Sequence, residues 1–185
     1  MIESQKLNFR KLDSTDFDFL FRYHSDPELT KYLPLGKPYP KDKVIAYLDN
    51  RINHWQQHHF GTFIISLKST SQTVGYCGLE YVKETEFIDI RYGVIRDAWG
   101  GGIANEAANR CIEFGFMDLK LDRIFGAAEP ENLPSLAVLR KIGMRPCIGY
   151  DFYGDVVDYF QITKSDYLKK HNKSFNPTLI STALR

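Results

Sequence analysis

Cysteine is scarce in this sequence, and the few cysteines present are widely spaced. The chain has only Cys77, Cys111 and Cys147, and no two of them form a CxxC pair. This spacing is typical neither of a zinc site nor of a disulfide framework. We therefore expect a protein without a metal ion that works in the reducing environment of the cytoplasm.

An excess of charge of one sign is also missing. The 24 Lys and Arg residues are balanced by 23 Asp and Glu residues, which gives a formal net charge of +1. Nucleic acids and anionic membrane surfaces attract proteins with a clear basic excess, so we expect neither as a partner. No apolar run approaches the roughly 18 residues of a membrane span. The first residues lack the pattern of a signal peptide.

No internal repeat, low-complexity block or linker divides the 185 residues. That length fits one domain. A content of 43% hydrophobic and 14% aromatic residues is enough for a full core. We expect a single domain over residues 1–170. Residues 171–185 are polar and show no clear period, which predicts a C-terminal tail.

The apolar pattern predicts strand, two helices, three strands, helix, strand, helix and two strands. Consecutive strands favour antiparallel hairpins, whereas the strand–helix–strand segment requires a parallel crossover. The fold class is therefore α/β (α+β), with a mixed, mostly antiparallel twisted sheet of about six to seven strands and helices on both faces. The expected strands are 7–10, 61–67, 73–81, 87–95, 123–128, 145–152 and 156–162; the helices are 15–24, 41–58, 103–119 and 132–142; residues 26–40 form an irregular loop.

Three consecutive glycines, Gly100 to Gly102, lie between a predicted strand and a predicted helix. The N–H groups at a helix start have no helical partners, and glycine lets an anion approach the backbone closely. The motif predicts a diphosphate site; a flexible turn that binds nothing is the alternative. It is not the GxGxxG motif of nicotinamide enzymes, because Asn105 stands at the third glycine, and it is not a P-loop, because no Lys-Ser/Thr follows.

Several motifs together resemble the GNAT acyltransferase superfamily, and more narrowly its RimJ/RimL-type branch of ribosomal-protein N-acetyltransferases. The resemblance extends over about residues 7–164 and depends on the order and spacing of the motifs. They are DIRY (89–92), WGGGIANEA (99–107), ENLPS (131–135) and KIGM (141–144), with LD (12–13), DPEL (26–29), YLP (32–34) and VGYCGL (74–79) before them.

The resemblance implies acetyl-coenzyme A (acetyl-CoA) as the acetyl donor, and no metal. The pyrophosphate would lie on the glycine loop and helix start, and the pantetheine arm along the edge of the preceding strand. A backbone amide near Val94 or Ile95 would stabilise the oxyanion. Trp99 stands where the superfamily usually has Gln or Arg. The implied cofactor-binding residues are Tyr92, Gly93, Val94, Ile95, Trp99, Gly100, Gly101, Gly102, Ile103, Ala104 and Asn132.

The catalytic groups follow from the same resemblance. Many members place a Tyr acid seven residues after the helix-capping Asn, and this chain has Leu139 there. The RimJ/RimL-type branch instead implies Ser135, whose hydroxyl would donate to the leaving sulfur; its alternative role is a second helix cap. The candidate bases come instead from their places on or beside the charged faces of neighbouring predicted strands, and they are Asp89, Glu80 and Glu86. Each of them is alternatively a solvated carboxylate on a strand or turn.

The implied activity is transfer of acetyl from acetyl-CoA to a primary amine, on a protein N-terminus or a small molecule. We expect direct attack in a ternary complex, because no cysteine is placed with a His and an Asp or Asn as an acyl-enzyme would need. The acceptor would bind between residues 26–40 and the final hairpin. The alternative is a non-catalytic CoA-binding or scaffold module of the same fold. A homodimer is left open.

Overall fold

One mixed sheet runs through the protein. A computed structural model describes residues 2–172, and its strands follow the order β1-β2-β3-β4-β5-β6-β8-β7. Eight strands replace the six to seven expected. The additional strand, β1, is two residues long and therefore shows no alternation that a sequence pattern reveals. The strands are β1 (Ile2–Glu3), β2 (Leu7–Lys11), β3 (Thr62–Leu67), β4 (Thr73–Tyr81), β5 (Ile88–Val94), β6 (Arg123–Ala128), β7 (Arg145–Pro146) and β8 (Asp158–Thr163).

One strand pair is parallel, and it meets at a single register position. β5 pairs with β4 over its whole length, and β6 pairs with β8 over its whole length. Between β5 and β6 the register joins only Asp89 to Phe125. The two strands therefore part beyond that point. The other neighbouring strands within residues 2–172 are antiparallel, so the expected mixed sheet with one parallel crossover is confirmed.

Six helices are present in the part of the chain that the structure describes. The short helix α2 lies in a segment that we expected to be irregular, because the Asp26 side chain accepts from the amide of Glu28 and Pro27 fits a first helical turn. α6 crosses the expected end of the domain, and the remainder of the expected tail lies outside the described residues. The helices are α1 (Phe17–Ser25), α2 (Pro27–Thr30), α3 (Lys41–His58), α4 (Ile103–Met117), α5 (Leu133–Lys141) and α6 (Lys164–Asn172).

The core lies on both faces of the sheet. Cys77 and Leu79 of β4, with Ile88 and Ile90 of β5, pack with the apolar side of α4. Tyr76 of β4 points to the opposite face and packs with α1 and α3. Since side chains alternate along a strand, the even-numbered residues of β4 beyond Tyr76 face α1 and α3 as well. Helices on both faces were expected and are confirmed.

The expected strands of the final hairpin are too long. The pair β7–β8 is antiparallel, but a loop, residues 147–157, replaces most of the strand expected at 145–152. Gly149 and Gly154 have φ of +85° and +76°, which breaks an extended backbone. The rings of Tyr150 and Phe152 in this loop pack on Phe87 and Phe125. Tertiary packing of rings therefore overrides the strand propensity of this segment.

His24 is a fully buried histidine in the smaller core. Its Nδ1 lies 2.8 Å from the carbonyl oxygen of Leu20, and its ring packs against those of Tyr39 and Tyr47. Its Nε2 has no hydrogen-bond partner within residues 2–172. Burial lowers the pKa of His24 below its usual value. Folding therefore favours the neutral form of this side chain.

The burial of His24 predicts a pH-dependent stability. In the unfolded chain the pKa of a histidine is about 6.5, so below about pH 6.5 the unfolded state binds a proton that the folded state excludes. Stability therefore falls as the pH falls through this range. We expect the free energy of unfolding in urea to drop between pH 7.5 and pH 5.5, with up to about 1.4 kcal/mol due to His24.

The matched variants are His24→Phe and His171→Gln. The first keeps a ring in the core and removes the titrating group, so the drop in stability should become smaller. The second changes an exposed histidine of α6 and should leave the drop as it is. An unchanged drop in His24→Phe would contradict the assignment.

Candidate active site

The edge of β5 that faces β6 carries backbone groups directed into the gap between the two strands. Ile95 donates its N–H to Val74 of β4 at 2.9 Å, and its carbonyl accepts from Ala98 at 3.1 Å. Backbone groups alternate in direction along a strand, so the amides of Tyr92 and Val94 point away from β4 and toward the gap. Of the two amides considered for the oxyanion, that of Val94 faces the gap and that of Ile95 is used within the sheet.

The glycine loop connects the end of β5 to the start of α4. Gly100 and Gly102 both have φ of +75°, a conformation that glycine adopts without strain, and Gly102 is the N-cap of α4. No atom lies within 4 Å of where a Cβ would stand at either position. The loop is therefore open on this side. The amides of Ile103 and Ala104 in the first helical turn have no helical carbonyl to bond.

Trp99 attaches the glycine loop to the end of β5. Its indole Nε1 donates to the carbonyl oxygen of Val94 at 2.9 Å, while 56% of the residue stays exposed. A Gln or Arg at this position would present a polar side chain to a ligand. In this chain the indole N–H of Trp99 instead donates to the carbonyl of Val94, the last carbonyl of β5 that points into the gap.

A segment near the N-terminus lies across the glycine loop. Ser4 donates its hydroxyl to the carboxylate of Glu106, and the amide of Lys6 donates to the same oxygen, both at 2.6 Å. The ammonium group of Lys6 then lies 3.4 Å from the carbonyl oxygen of Gly101. A cleft of about 270 Å³ beside the loop is lined by Lys6, Trp99 and Gly101 among others. Lys6 was not expected here from the sequence, because this contact joins residues 95 positions apart.

Ser135 and Tyr92 meet at the start of α5. Asn132 is the N-cap of that helix, and its side chain accepts from the amide of Ser135 at 3.2 Å. The Ser135 hydroxyl lies 2.9 Å from the phenol oxygen of Tyr92, which itself donates to the Ser135 carbonyl at 3.1 Å. Burial raises the pKa of Tyr92, so the phenol keeps its proton. The expected cap by Asn132 is confirmed, and the contact of the Ser135 hydroxyl is with Tyr92 rather than with a helix amide.

Glu80 and Asp89 form a buried acidic pair on the α3 side of the sheet. They are direct partners across β4 and β5, and each is only 4% exposed. The alternative interpretation of solvated strand carboxylates is therefore wrong for both. Glu86, the third candidate, lies in an exposed turn and takes no part in this pair.

Arg91 forms an ion pair with each member of the acidic pair. Its guanidinium lies 3.2 Å from Glu80 and donates to Asp89 at 3.0 Å. Glu80 also lies 3.7 Å from Arg51 and accepts from the Thr62 hydroxyl at 2.6 Å. Burial by itself would raise the pKa of Glu80. The two arginines and the hydroxyl outweigh burial and hold this pKa below its usual value.

Tyr153 closes this charge cluster from the 147–157 loop. Its hydroxyl donates to Oδ2 of Asp89 and accepts from Nη2 of Arg91 at 3.0 Å. The amide of Tyr153 donates to the hydroxyl of Tyr159 at 2.7 Å, and that hydroxyl donates to the carbonyl of Gly154 at 3.0 Å. From the sequence, Tyr153 was expected only as part of a turn. No local pattern connects it with Asp89, 64 positions earlier.

Comparison with known proteins agrees with this fold. The family model described as "Acetyltransferase (GNAT) domain" matches residues 6–145. The uncharacterized N-acetyltransferase p20 of Bacillus licheniformis is 33% identical over 144 residues, which cover 77% of this chain and 80% of that protein. The uncharacterized N-acetyltransferase YnaD of Bacillus subtilis is 28% identical, covering 78% and 82%. The chain belongs to the GNAT family and is an acetyl-CoA-dependent acetyltransferase.

Solved structures share the fold. A GNAT-family acetyltransferase from Bacillus anthracis superposes with a TM-score of 0.74 at 25% identity, over 89% of this chain and 98% of that one. Spermidine N-acetyltransferase from Vibrio cholerae, in complex with CoA and spermine, superposes with a TM-score of 0.71 at 19% identity, over 88% and 98%. At that identity the second likeness shows the fold alone.

Residues 2–172 contain neither a candidate membrane-spanning helix nor a candidate metal-binding group. No helix in that range is both long and apolar enough to pass through a membrane. The same residues contain no group of three or more His, Cys, Asp or Glu side chains arranged to hold a metal ion.

The buried pairing predicts a large effect of removing Arg91. Arg91→Met leaves Glu80 and Asp89 buried without their shared counter-charge, which typically costs about 3 kcal/mol or more. We expect this loss in the free energy of unfolding, measured in urea at pH 7. The loss should be clearly smaller when Arg91→Met is introduced together with Glu80→Gln and Asp89→Asn. A cost below about 1 kcal/mol in the single variant would contradict a structural role of the pairing.

Proposed function

We propose that this protein is an N-acetyltransferase of the RimJ/RimL type. It transfers acetyl to the primary amine of a protein N-terminus or of a small molecule, and the amine attacks directly in a ternary complex. The observation that carries the proposal is the gap between β5 and β6. This gap opens at Asp89. The glycine loop lies at the end of β5, and Ser135 lies beside Tyr92 of the same strand.

The residues around the gap fit a CoA donor. The open glycines and the free amides of the α4 start offer a positively polarised cradle for a diphosphate. Lys6 adds a cation beside this cradle. The outward amides of Tyr92 and Val94 are suited to bind an amide-bearing arm as an additional strand would. Acetyl-CoA supplies the activated acetyl group.

Ser135 is the group that we assign to the leaving sulfur. A thiol of pKa about 8.5 leaves with modest help, so one hydrogen bond from a hydroxyl is sufficient. Tyr92 keeps its proton, and its phenol lies within hydrogen-bond distance of both the carbonyl and the hydroxyl oxygen of Ser135. When the phenol donates to the hydroxyl oxygen, the proton of the Ser135 hydroxyl is available to the sulfur. The phenol thereby holds this hydroxyl on the β5 side of α5. Asn132 fixes the backbone on which it stands.

Asp89 is the better candidate for the base, and Glu80 is a positioning residue. Both oxygens of Glu80 are occupied, one by the Thr62 hydroxyl and the other by arginines. Asp89 stands where the gap begins and faces the 147–157 loop through Tyr153. A buried carboxylate of this kind suits an α-amine, whose pKa is about 7.7 to 8.0. Lysine at about 10.4 would need about 4.6 kcal/mol for deprotonation at pH 7.

The cysteines support direct transfer rather than an acyl-enzyme. Cys77 and Cys111 are fully buried in the larger core, and Cys147 is half-buried in the 147–157 loop. Burial raises the pKa of Cys77 and of Cys147. A nucleophilic cysteine needs the opposite, a thiol whose pKa is lowered by a neighbouring base or cation.

Binding and turnover of acetyl-CoA test the donor. We expect calorimetry to detect acetyl-CoA binding to the wild-type protein, and thiol release from acetyl-CoA when a panel of N-terminal peptides and small amines is added. Gly101 has an ordinary φ, and no atom lies nearer than 3.7 Å to where a Cβ would stand on it. Gly101→Val should therefore fold normally and bind acetyl-CoA at least about tenfold more weakly, because a branched side chain covers the cradle.

Two outcomes would contradict this part of the proposal. Absence of acetyl-CoA binding at millimolar concentration would remove the donor. Binding without thiol release for any amine in the panel would indicate a non-catalytic CoA-binding module of the same fold.

Replacing Ser135 tests the role of its hydroxyl. Ser135→Ala should lower kcat by about tenfold or more, because the leaving thiolate loses a hydrogen bond, and should change acetyl-CoA affinity by less than about threefold. The matched control is Tyr92→Phe, which removes the neighbouring hydroxyl and leaves that of Ser135. A rate in Ser135→Ala equal to the wild-type rate would return Ser135 to a purely structural role.

A further inference from the structure

We propose that the phenol of Tyr153 contacts the acceptor amine and passes its proton to Asp89. The proposal rests on the proposed N-acetyltransferase function and deepens it, because it assigns a further catalytic residue to the acceptor side. Neither the local sequence around residues 147–157 nor the glycine loop points to this residue.

The occupancy of the Asp89 carboxylate is the first observation. Oδ1 accepts from Nε of Arg91, and Oδ2 accepts from the phenol of Tyr153. Asp89 is 4% exposed, whereas Tyr153 is 37% exposed. An amine that approached Asp89 directly would have to displace a donor from a buried carboxylate. An amine that approaches Tyr153 meets the same acid through a group already in place.

The hydrogen bonds of the phenol are the second observation. A phenol has one proton and two lone pairs. The proton goes to Asp89 and one lone pair accepts from Arg91. One lone pair is left, on a side chain that reaches the surface. Burial, followed by the charge of Asp89, raises the pKa of Tyr153, so the phenol holds its proton until another arrives.

The support of the phenol is the third observation. Tyr159 holds the backbone on both sides of Tyr153, through the amide of Tyr153 and the carbonyl of Gly154. The neighbouring ring of Phe152 packs at 4.8 Å from that of Tyr159. These two bonds fix the turn from which the Tyr153 side chain extends to Asp89.

The proton balance of the step is simple. The ammonium form of the acceptor loses one proton to the phenol oxygen, as the phenol proton moves to Asp89. The neutral amine nitrogen then forms a bond to the acetyl carbon, and the C–S bond breaks with its electron pair on sulfur. The second proton leaves the nitrogen as the amide forms and goes to the sulfur, which becomes the thiol. Asp89 later returns its proton to water through the same phenol. No oxidant, reductant or further reactant is needed.

Other ionisable groups around the phenol set its electrostatic surroundings. Asp89 and Arg91 of β5 contact it directly, and Tyr159 of β8 contacts its backbone. Behind them lie Glu80 of β4 and Arg51 of α3. Two carboxylates and two guanidinium groups balance in charge, so a proton delivered to Asp89 is the event that changes the net charge of the cluster.

The test compares Tyr153→Phe with Tyr150→Phe over a range of pH. Tyr150 belongs to the same loop and ring cluster, and its hydroxyl accepts from Arg123 at 3.0 Å without contact to Asp89. We expect Tyr153→Phe to lower kcat/KM at least about tenfold at pH 6.5 and less than about threefold at pH 9, where the amine is already largely neutral. Acetyl-CoA affinity should stay unchanged, and Tyr150→Phe should follow the wild-type profile.

The outcomes separate the relay from the proposed function. A loss in Tyr153→Phe that disappears as the pH rises, reproduced by Asp89→Asn, supports the relay. A loss of equal size at every pH, or no difference from Tyr150→Phe, overturns it while wild-type thiol release keeps the acetyltransferase function in place. A wild-type protein that binds acetyl-CoA and acetylates no amine overturns both.

Discussion

The structure depends on one feature of its sheet, the parallel contact between β5 and β6 at a single register position. Each strand is fully paired on its other side, so the two are held firmly and yet part from each other beyond Asp89 and Phe125. Parting leaves backbone donors and acceptors unpaired in the interior of a sheet, where they would ordinarily be costly. A ligand that carries amides along its length can satisfy them. The opening therefore connects this feature of the fold with the donor site that we propose.

The glycine loop and the opening act together because of chain connectivity. The loop follows β5 directly, so the start of α4 stands at the end of the gap. Trp99 fixes the distance between them through its bond to Val94, and Lys6 comes in from the segment before β2 over the same loop. A diphosphate and an arm that extends from it would thus meet polar groups in sequence, first the helix amides and then the strand edge.

The buried charges of Glu80 and Asp89 lie on the α3 side of the sheet. Placing Glu80 and Asp89 side by side in the interior is unfavourable unless cations and donors compensate. For Glu80, this compensation comes from Arg91, Arg51 and Thr62. Asp89 pairs with Arg91 and is connected to solvent through Tyr153. A fully compensated carboxylate is a structural group. One whose second donor belongs to a partly exposed tyrosine is in the position that the proposed proton transfer requires.

The sequence determined the order of elements, the mixed sheet, the glycine loop, the Asn132 cap and the family, because these depend on local periodicity and short spacings. It misjudged β1, α2 and the length of the final strands, where few residues or ring packing decide the backbone. Tertiary structure alone decided which distant groups meet: the Lys6 side chain with the Gly101 carbonyl, Ser135 with Tyr92, and Tyr153 with Asp89. Those contacts join distant positions through the pairing of strands and the path of loops, and no local pattern encodes them.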